Sequence, residues 1–152
     1  IEQLGPVQAL VGHSMGSLAI AMRLADPQRP PSAPATRAVL ISTPSGVPFL
    51  VESFERLFGI GARTREHGLR IFTRRFGGQP EQFMALAEGA RLACPVLLVH
   101  DDTDDVVPFE HSAQLARRLP DARLLATHGL GHSGPLRDPA TITAIADFLD
   151  VI

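Results

Sequence analysis

Ser14 lies in Gly12-His13-Ser14-Met15-Gly16, a G-x-S-x-G run, and a serine in that setting can serve as a nucleophile. The stretch before it, Pro6 to Val11, reads as a short apolar strand. The stretch after it, Ser17 to Ala25, reads as an apolar helix. Strand, sharp turn and helix would push the hydroxyl out above a sheet edge. Both glycines are expected there because so tight a turn brings backbone too close for side chains. The helix start would aim free N–H groups and its positive dipole end at the place where negative charge develops. The competing reading is a serine that merely caps a helix.

A serine hydroxyl attacks poorly at neutral pH. It needs a base beside it, and the base needs an orienting carboxylate. In open α/β sheets such groups come from loops at the carboxyl ends of strands. Two loops carry them here. One is His100-Asp101-Asp102-Thr103-Asp104-Asp105-Val106-Val107-Pro108. The other is His128-Gly129-Leu130-Gly131-His132-Ser133-Gly134.

The elements that must hold these loops follow from periodicity. Val7 to Gly12, Arg37 to Ser42, Pro95 to His100 and Ala122 to Ala126 read as strands, and Val96-Leu97-Leu98-Val99 is the strongest of them. Met15 to Ala25, Phe109 to Leu119 and Pro139 to Leu149 read as helices, with Asp138 as N-cap of the last. Pro27 to Pro34 reads as a surface loop. Strands alternating with helices imply α/β class, a parallel sheet of about four strands flanked by helices. Residues 44–91 differ in character. Leu50, Val51, Phe54, Leu57 and Phe58 fall at helical spacing, as do Leu69, Phe72 and Phe76, and then Phe83, Leu86 and Ala90. Gly59-Ile60-Gly61 and Gly77-Gly78 divide them. The expected organisation is a core of residues 1–43 and 92–152, with a helical insertion at 44–91 between strands.

Composition narrows the chemistry. The 152 residues carry a net charge of −2, so no general affinity for nucleic acid or anionic membranes follows. All 14 basic residues are arginine, and without lysine this chain cannot form a Schiff base. The sole cysteine, Cys94, excludes an internal disulfide and reads as a buried structural thiol. No apolar run approaches a membrane span. No metal or organic cofactor is implied. The expected location is cytoplasmic, although a targeting signal could lie upstream of Ile1.

Together these motifs resemble the C-terminal portion of an α/β-hydrolase-fold serine hydrolase of the esterase and lipase type. G-H-S-M-G matches that family's nucleophile elbow. Asp104 to Pro108 matches its D-x-x-V-P acid loop, and Gly129 to His132 matches its G-x-G-H histidine loop. Leu136-Arg137-Asp138-Pro139 is also typical of bacterial members. The chain order Ser, Asp, His is the one the fold uses. The resemblance implies Ser14 as nucleophile, His132 as base and Asp104 as the orienting acid, with the Met15 N–H as one oxyanion donor. Asp101 stands where many members carry glycine, and Asp102 and Asp105 read as solvated loop charges. Of the other histidines, His13 reads as a structural or pocket-wall residue and His100 as a partner within the acid loop. His67 and His111 read as surface, and His128 sits too near a strand end to reach the serine. The insertion resembles the family's lid. Most of its phenylalanines are expected to form its own core, and the remainder to line an apolar pocket. Its arginines read as a solvated face.

The family's second oxyanion donor comes from a loop after an early strand, and no such loop precedes Ser14. The first half of the sheet is expected to lie outside these residues. The implied activity is cleavage of carboxylic esters through an acyl-enzyme, with a small apolar ester as substrate. The alternatives are thioesterase, peptidase, lactonase or perhydrolase chemistry on the same fold, or a non-catalytic binding or scaffold protein built on a degenerate hydrolase half.

Overall fold

Val96–Asp101 is the centre of the molecule, and all six of its residues are buried. A strand covered on both faces needs apolar side chains on both, which explains its unbroken run of valine and leucine. The computed structural model describes residues 7–25, 37–85, 92, 94–119 and 121–150. Four strands form one sheet in sequence order: β1 (Ala9–His13), β2 (Arg37–Ile41), β3 (Val96–Asp101) and β4 (Ala122–Thr127). All three pairings are parallel. The α/β class and the four-stranded parallel sheet expected from the alternation are both present. Likewise, Cys94 is buried, and that burial pushes its thiol pKa up.

Side-chain alternation sorts the core into two layers. Ala38, Leu40, Val96 and Leu98 face α1 (Met15–Ala25) and α4 (Phe109–Arg118), meeting Leu18, Ala21, Leu24, Leu115 and Leu119. Val39, Ile41, Leu97 and Val99 face the other way and meet Phe148 of α5 (Pro139–Leu149). Asp138 caps α5 as expected: its carboxylate accepts from the Thr141 N–H at 2.8 Å and from the Thr141 hydroxyl at 2.7 Å.

β3 and β4 each run one residue past their expected ends. His100 pairs with Ala126 and Asp101 with Thr127, and the Thr127 hydroxyl also bonds the Asp101 carboxylate at 2.8 Å. That polar pairing extends the ladder beyond the apolar run. β1 is displaced toward His13, and among the described residues it pairs with β2 alone. Val11 on this edge strand is 52% exposed.

Between β2 and β3 come two helices, α2 (Val47–Phe58) and α3 (Ala62–Phe76). Gly59 and Gly77 terminate them in left-handed conformations, φ 60° and 76°, which cost glycine little. The two ends of the segment are tied together: the Val47 N–H donates to the Phe83 carbonyl at 2.8 Å, and the Ala85 N–H to that of Ser45 at 2.9 Å. Neither helix has a fully buried residue. Their aromatic rings pack on one another, Phe54 on Phe58 and Phe72 on Phe76 and Phe83. The expected continuation of a helix through Leu86 and Ala90 and the loop at Pro27 to Pro34 lie outside the described residues. Among the described residues, no helix is long and apolar enough to cross a membrane.

Candidate active site

β1 ends in a turn that the sequence makes tight. Ser14 takes the left-handed conformation, φ 53°, and donates its N–H across to the Ile41 carbonyl at 2.8 Å. Its own carbonyl receives the Ser17 and Leu18 N–H groups at 3.0 and 3.2 Å and the Ser17 hydroxyl at 2.5 Å. Helix α1 therefore starts directly from the serine. The Met15 N–H belongs to the first turn, whose N–H groups find no acceptor within the helix; the Met15 side chain is 64% exposed.

The two glycines of the motif differ. A Cβ on Gly12 would lie 2.8 Å from the backbone of both Gly16 and Ser17, whereas one on Gly16 would meet nothing within 4 Å. The expectation that both are sterically required is corrected for Gly16, which faces outward at the helix start. Gly12→Ala is expected to lower stability by about 2 kcal/mol or more, since rigid backbone must move. Gly16→Ala should stay within about 1 kcal/mol of the parent. Thermal melts of the two variants check this, and equal losses would refute the distinction.

Asp104 sits in the turn after β3 with its side chain fully buried. One carboxylate oxygen accepts the N–H groups of Val106 and Val107, both at 2.9 Å. The other lies 2.8 Å from Nδ1 of His132. Burial pushes the Asp104 pKa up, but the Val107 N–H, His132 and the Val106 N–H outweigh it and hold the carboxyl below its ordinary value. A carboxylate can only accept, so His132 carries its proton on Nδ1. In the neutral ring Nε2 then has a free lone pair, the state a general base requires.

His100 backs this pair from the interior. It is fully buried. Its Nε2–H donates to the Val107 carbonyl at 2.8 Å and lies 3.3 Å from the same Asp104 oxygen. Nδ1 in turn accepts from the Ser112 hydroxyl at 2.6 Å. His100 therefore bonds within the acid loop, as its position in the sequence suggested.

His132 is tied to the elbow through its backbone. Its carbonyl lies 3.0 Å from Nε2 of His13, and the two rings are 4.7 Å apart. The structure thus joins Asp104 to His132 directly and anchors His132 to the residue preceding Ser14. His128 points elsewhere: it pairs with Asp102 on the surface at 2.8 Å. His67 is exposed, as expected. His111, expected at the surface, is half-buried. Its Nδ1 accepts the Ser45 N–H at 3.1 Å, and its ring packs edge-on against Phe49 at 4.6 Å. Burial, then the neighbouring His100, lowers its pKa, which keeps that nitrogen available as an acceptor.

Asp101 is the organiser that motif spacing does not reveal. It is fully buried. One oxygen accepts from the Thr103 N–H and hydroxyl at 3.0 and 2.5 Å and from the Gly131 N–H at 3.0 Å. The other accepts from the Thr127 hydroxyl and the Leu130 N–H at 2.8 and 3.1 Å. Burial alone would raise its pKa, yet these bonds hold the carboxyl well below the ordinary carboxylate range. One side chain thereby sets both the acid loop and the backbone just before His132.

The profile of the serine hydrolase family described as FSH1 matches residues 1–144. The chain belongs to this FSH1 serine hydrolase family. It is 35% identical over 71 residues to a Pseudomonas savastanoi pv. phaseolicola protein named "Putative carbamate hydrolase RutD". That match covers 46% of this chain and 27% of the relative. Among solved structures, the fold resembles Rv0554 from Mycobacterium tuberculosis, with a TM-score of 0.61 at 20% identity, over 95% of this chain and 65% of that one. It also resembles mouse alpha/beta hydrolase domain-containing protein 10, with a TM-score of 0.58 at 23% identity, over 96% and 61%. The likeness to solved structures is one of fold, and this FSH1-family chain spans less than two thirds of their lengths.

Beside the elbow, α1 and the helices α2 and α3 line an open apolar cleft of about 640 Å³. Met15, Leu18, Ala19 and Met22 form its floor, and Leu50, Phe54, Leu69, Phe72 and Phe83 are among its walls. Glu55 and Arg65, an ion pair at 2.5 Å, also contribute to the lining.

Proposed function

We propose that this protein hydrolyses carboxylic esters with an apolar acyl group through a covalent acyl-enzyme. The observation that carries the reading is the 2.8 Å contact between His132 Nδ1 and the buried Asp104 carboxylate, in a histidine loop anchored to the Ser14 turn. Ser14 Oγ attacks the carbonyl carbon while His132 Nε2 takes its proton. The tetrahedral oxyanion accepts the Met15 N–H. The C–O bond to the alcohol breaks, and His132 returns the proton to the departing oxygen. Water, activated by the same nitrogen, then attacks the acyl-enzyme and frees the carboxylic acid and Ser14. Asp104 holds the imidazole in the productive tautomer and stabilises its cation throughout.

The apolar cavity next to Met15 supports an acyl group as its occupant. In this reading residues 44–91 act as a lid over a core of 1–43 and 92–152. The named activity of the Pseudomonas relative suggests a carbamate carbonyl, to which the same attack applies; the apolar lining favours the ester.

A fluorophosphonate probe should label the protein, and peptide mapping should place the adduct on Ser14. On a series of p-nitrophenyl esters, Ala19→Phe should cut kcat/KM for long acyl chains about tenfold more than for acetate, because the new ring fills the cavity floor. Labelling on another residue removes the proposed nucleophile. An equal effect of Ala19→Phe across the series would mean that the acyl group lies elsewhere.

A further inference from the structure

The backbone carbonyl of His132 is the meeting point of two side chains that the mechanism above leaves idle. Nε2–H of His13 donates to it at 3.0 Å, and the Ser42 hydroxyl at 3.3 Å. A carbonyl oxygen has two lone pairs, so both bonds can form together. The donors come from neighbouring strand ends. His13 is the last residue of β1 and pairs in register with Ile41, and Ser42 follows Ile41.

Ser42 holds a conformation that serine rarely takes. Its φ is 49°, and among the described residues only Ser14 shares a positive φ without being glycine. Ser42 is also fully buried. Glycine would occupy this left-handed position without steric cost, but it would bring no hydroxyl.

The loop that carries His132 needs such anchors. Gly129 and Gly131, both just before His132 in this loop, hold left-handed conformations, φ 75° and 66°, so local sequence does little to fix the ring. Asp101 secures the N–H groups of Leu130 and Gly131. His13 and Ser42 secure the carbonyl of His132 itself. We propose that His13 and Ser42 are positioning residues that aim the His132 ring at Ser14 by gripping its backbone carbonyl. The proposal rests on the reading of Ser14 as nucleophile and His132 as base. Proton transfer depends steeply on placement, and a shift of about 1 Å can cost about a hundredfold in rate.

The test uses the full chain and compares kcat, KM, fluorophosphonate labelling rate and melting temperature. His13→Phe keeps a ring and removes the donor, whereas His13→Gln keeps a donor at similar reach. Ser42→Gly removes the hydroxyl and relieves the backbone. His13→Phe should lower kcat and labelling rate roughly tenfold to a hundredfold with KM changed less than about twofold, and His13→Gln should recover most of the loss. Ser42→Gly should melt at or above the parent temperature and still lose about tenfold in kcat. The proposal is overturned if His13→Phe keeps parental kcat, if His13→Gln is as slow as His13→Phe, or if the Ser42→Gly loss merely follows a lowered melting temperature. Ser14→Ala separates the two levels. A variant that still labels removes the underlying reading. A silent Ser14→Ala beside a fully active His13→Phe removes the positioning role alone.

Discussion

If Ser14, His132 and Asp104 act as the proposed nucleophile, base and carboxylate, Ser14→Ala is expected to lower turnover of an activated ester by about 10⁴-fold or more, because such a set works as a unit. His132→Ala should fall comparably, and the double variant should be little worse than either single one. Asp104→Asn tests the tautomer. An amide would donate to Nδ1 rather than accept from it, so the proton would move to Nε2 and the base would be lost. That change should also cost about 10⁴-fold in kcat while leaving the fold intact. Steady-state kinetics and far-UV circular dichroism on the four variants check both parts. Near-normal turnover by Ser14→Ala would exclude the acyl-enzyme, whatever the other variants do.

Motifs that are local in sequence were the most legible. The elbow is a strand, a turn and a helix within about twenty residues, and its apolar pattern shows without coordinates. Asp104 stood out among four aspartates through its resemblance to a known acid loop, and the structure puts it against His132. Long-range polar contacts left no local trace. Thr103 is a local partner, but the other three donors to Asp101 come from Thr127, Leu130 and Gly131, 26 to 30 residues away, so its surroundings in sequence do not show that it ties two loops together. His111 looked like an exposed helix residue because its partner, the Ser45 N–H, lies 66 residues earlier. Gly16 shows the converse error. The motif suggests a steric need at both glycines, but at Gly16 the backbone imposes none, because an added Cβ would meet open space.

Asp101→Asn is expected to destabilise the protein by about 2–4 kcal/mol, although the side chain barely changes in size. All five groups around the carboxylate donate to it, and three of them are backbone N–H groups that cannot reverse. An amide must aim its NH₂ at one of those two sets of donors, leaving buried N–H groups facing each other. The pH dependence follows from the depressed pKa. The unfolded carboxyl takes up its proton near pH 3.9, while the folded one resists protonation until lower pH. Its contribution is therefore fully present above about pH 4 and is lost as pH falls through the folded value. Denaturant titrations between pH 7 and pH 2 should show parent and variant far apart at neutral pH, with the gap narrowing only below about pH 4. Asp104, also depressed, keeps part of the acid slope in both proteins. Turnover should fall further than the unfolded fraction explains, because Asp101 also fixes the backbone next to His132. Parallel stability curves across this range, or full activity in a variant that remains folded, would mean that the carboxylate's charge holds neither loop.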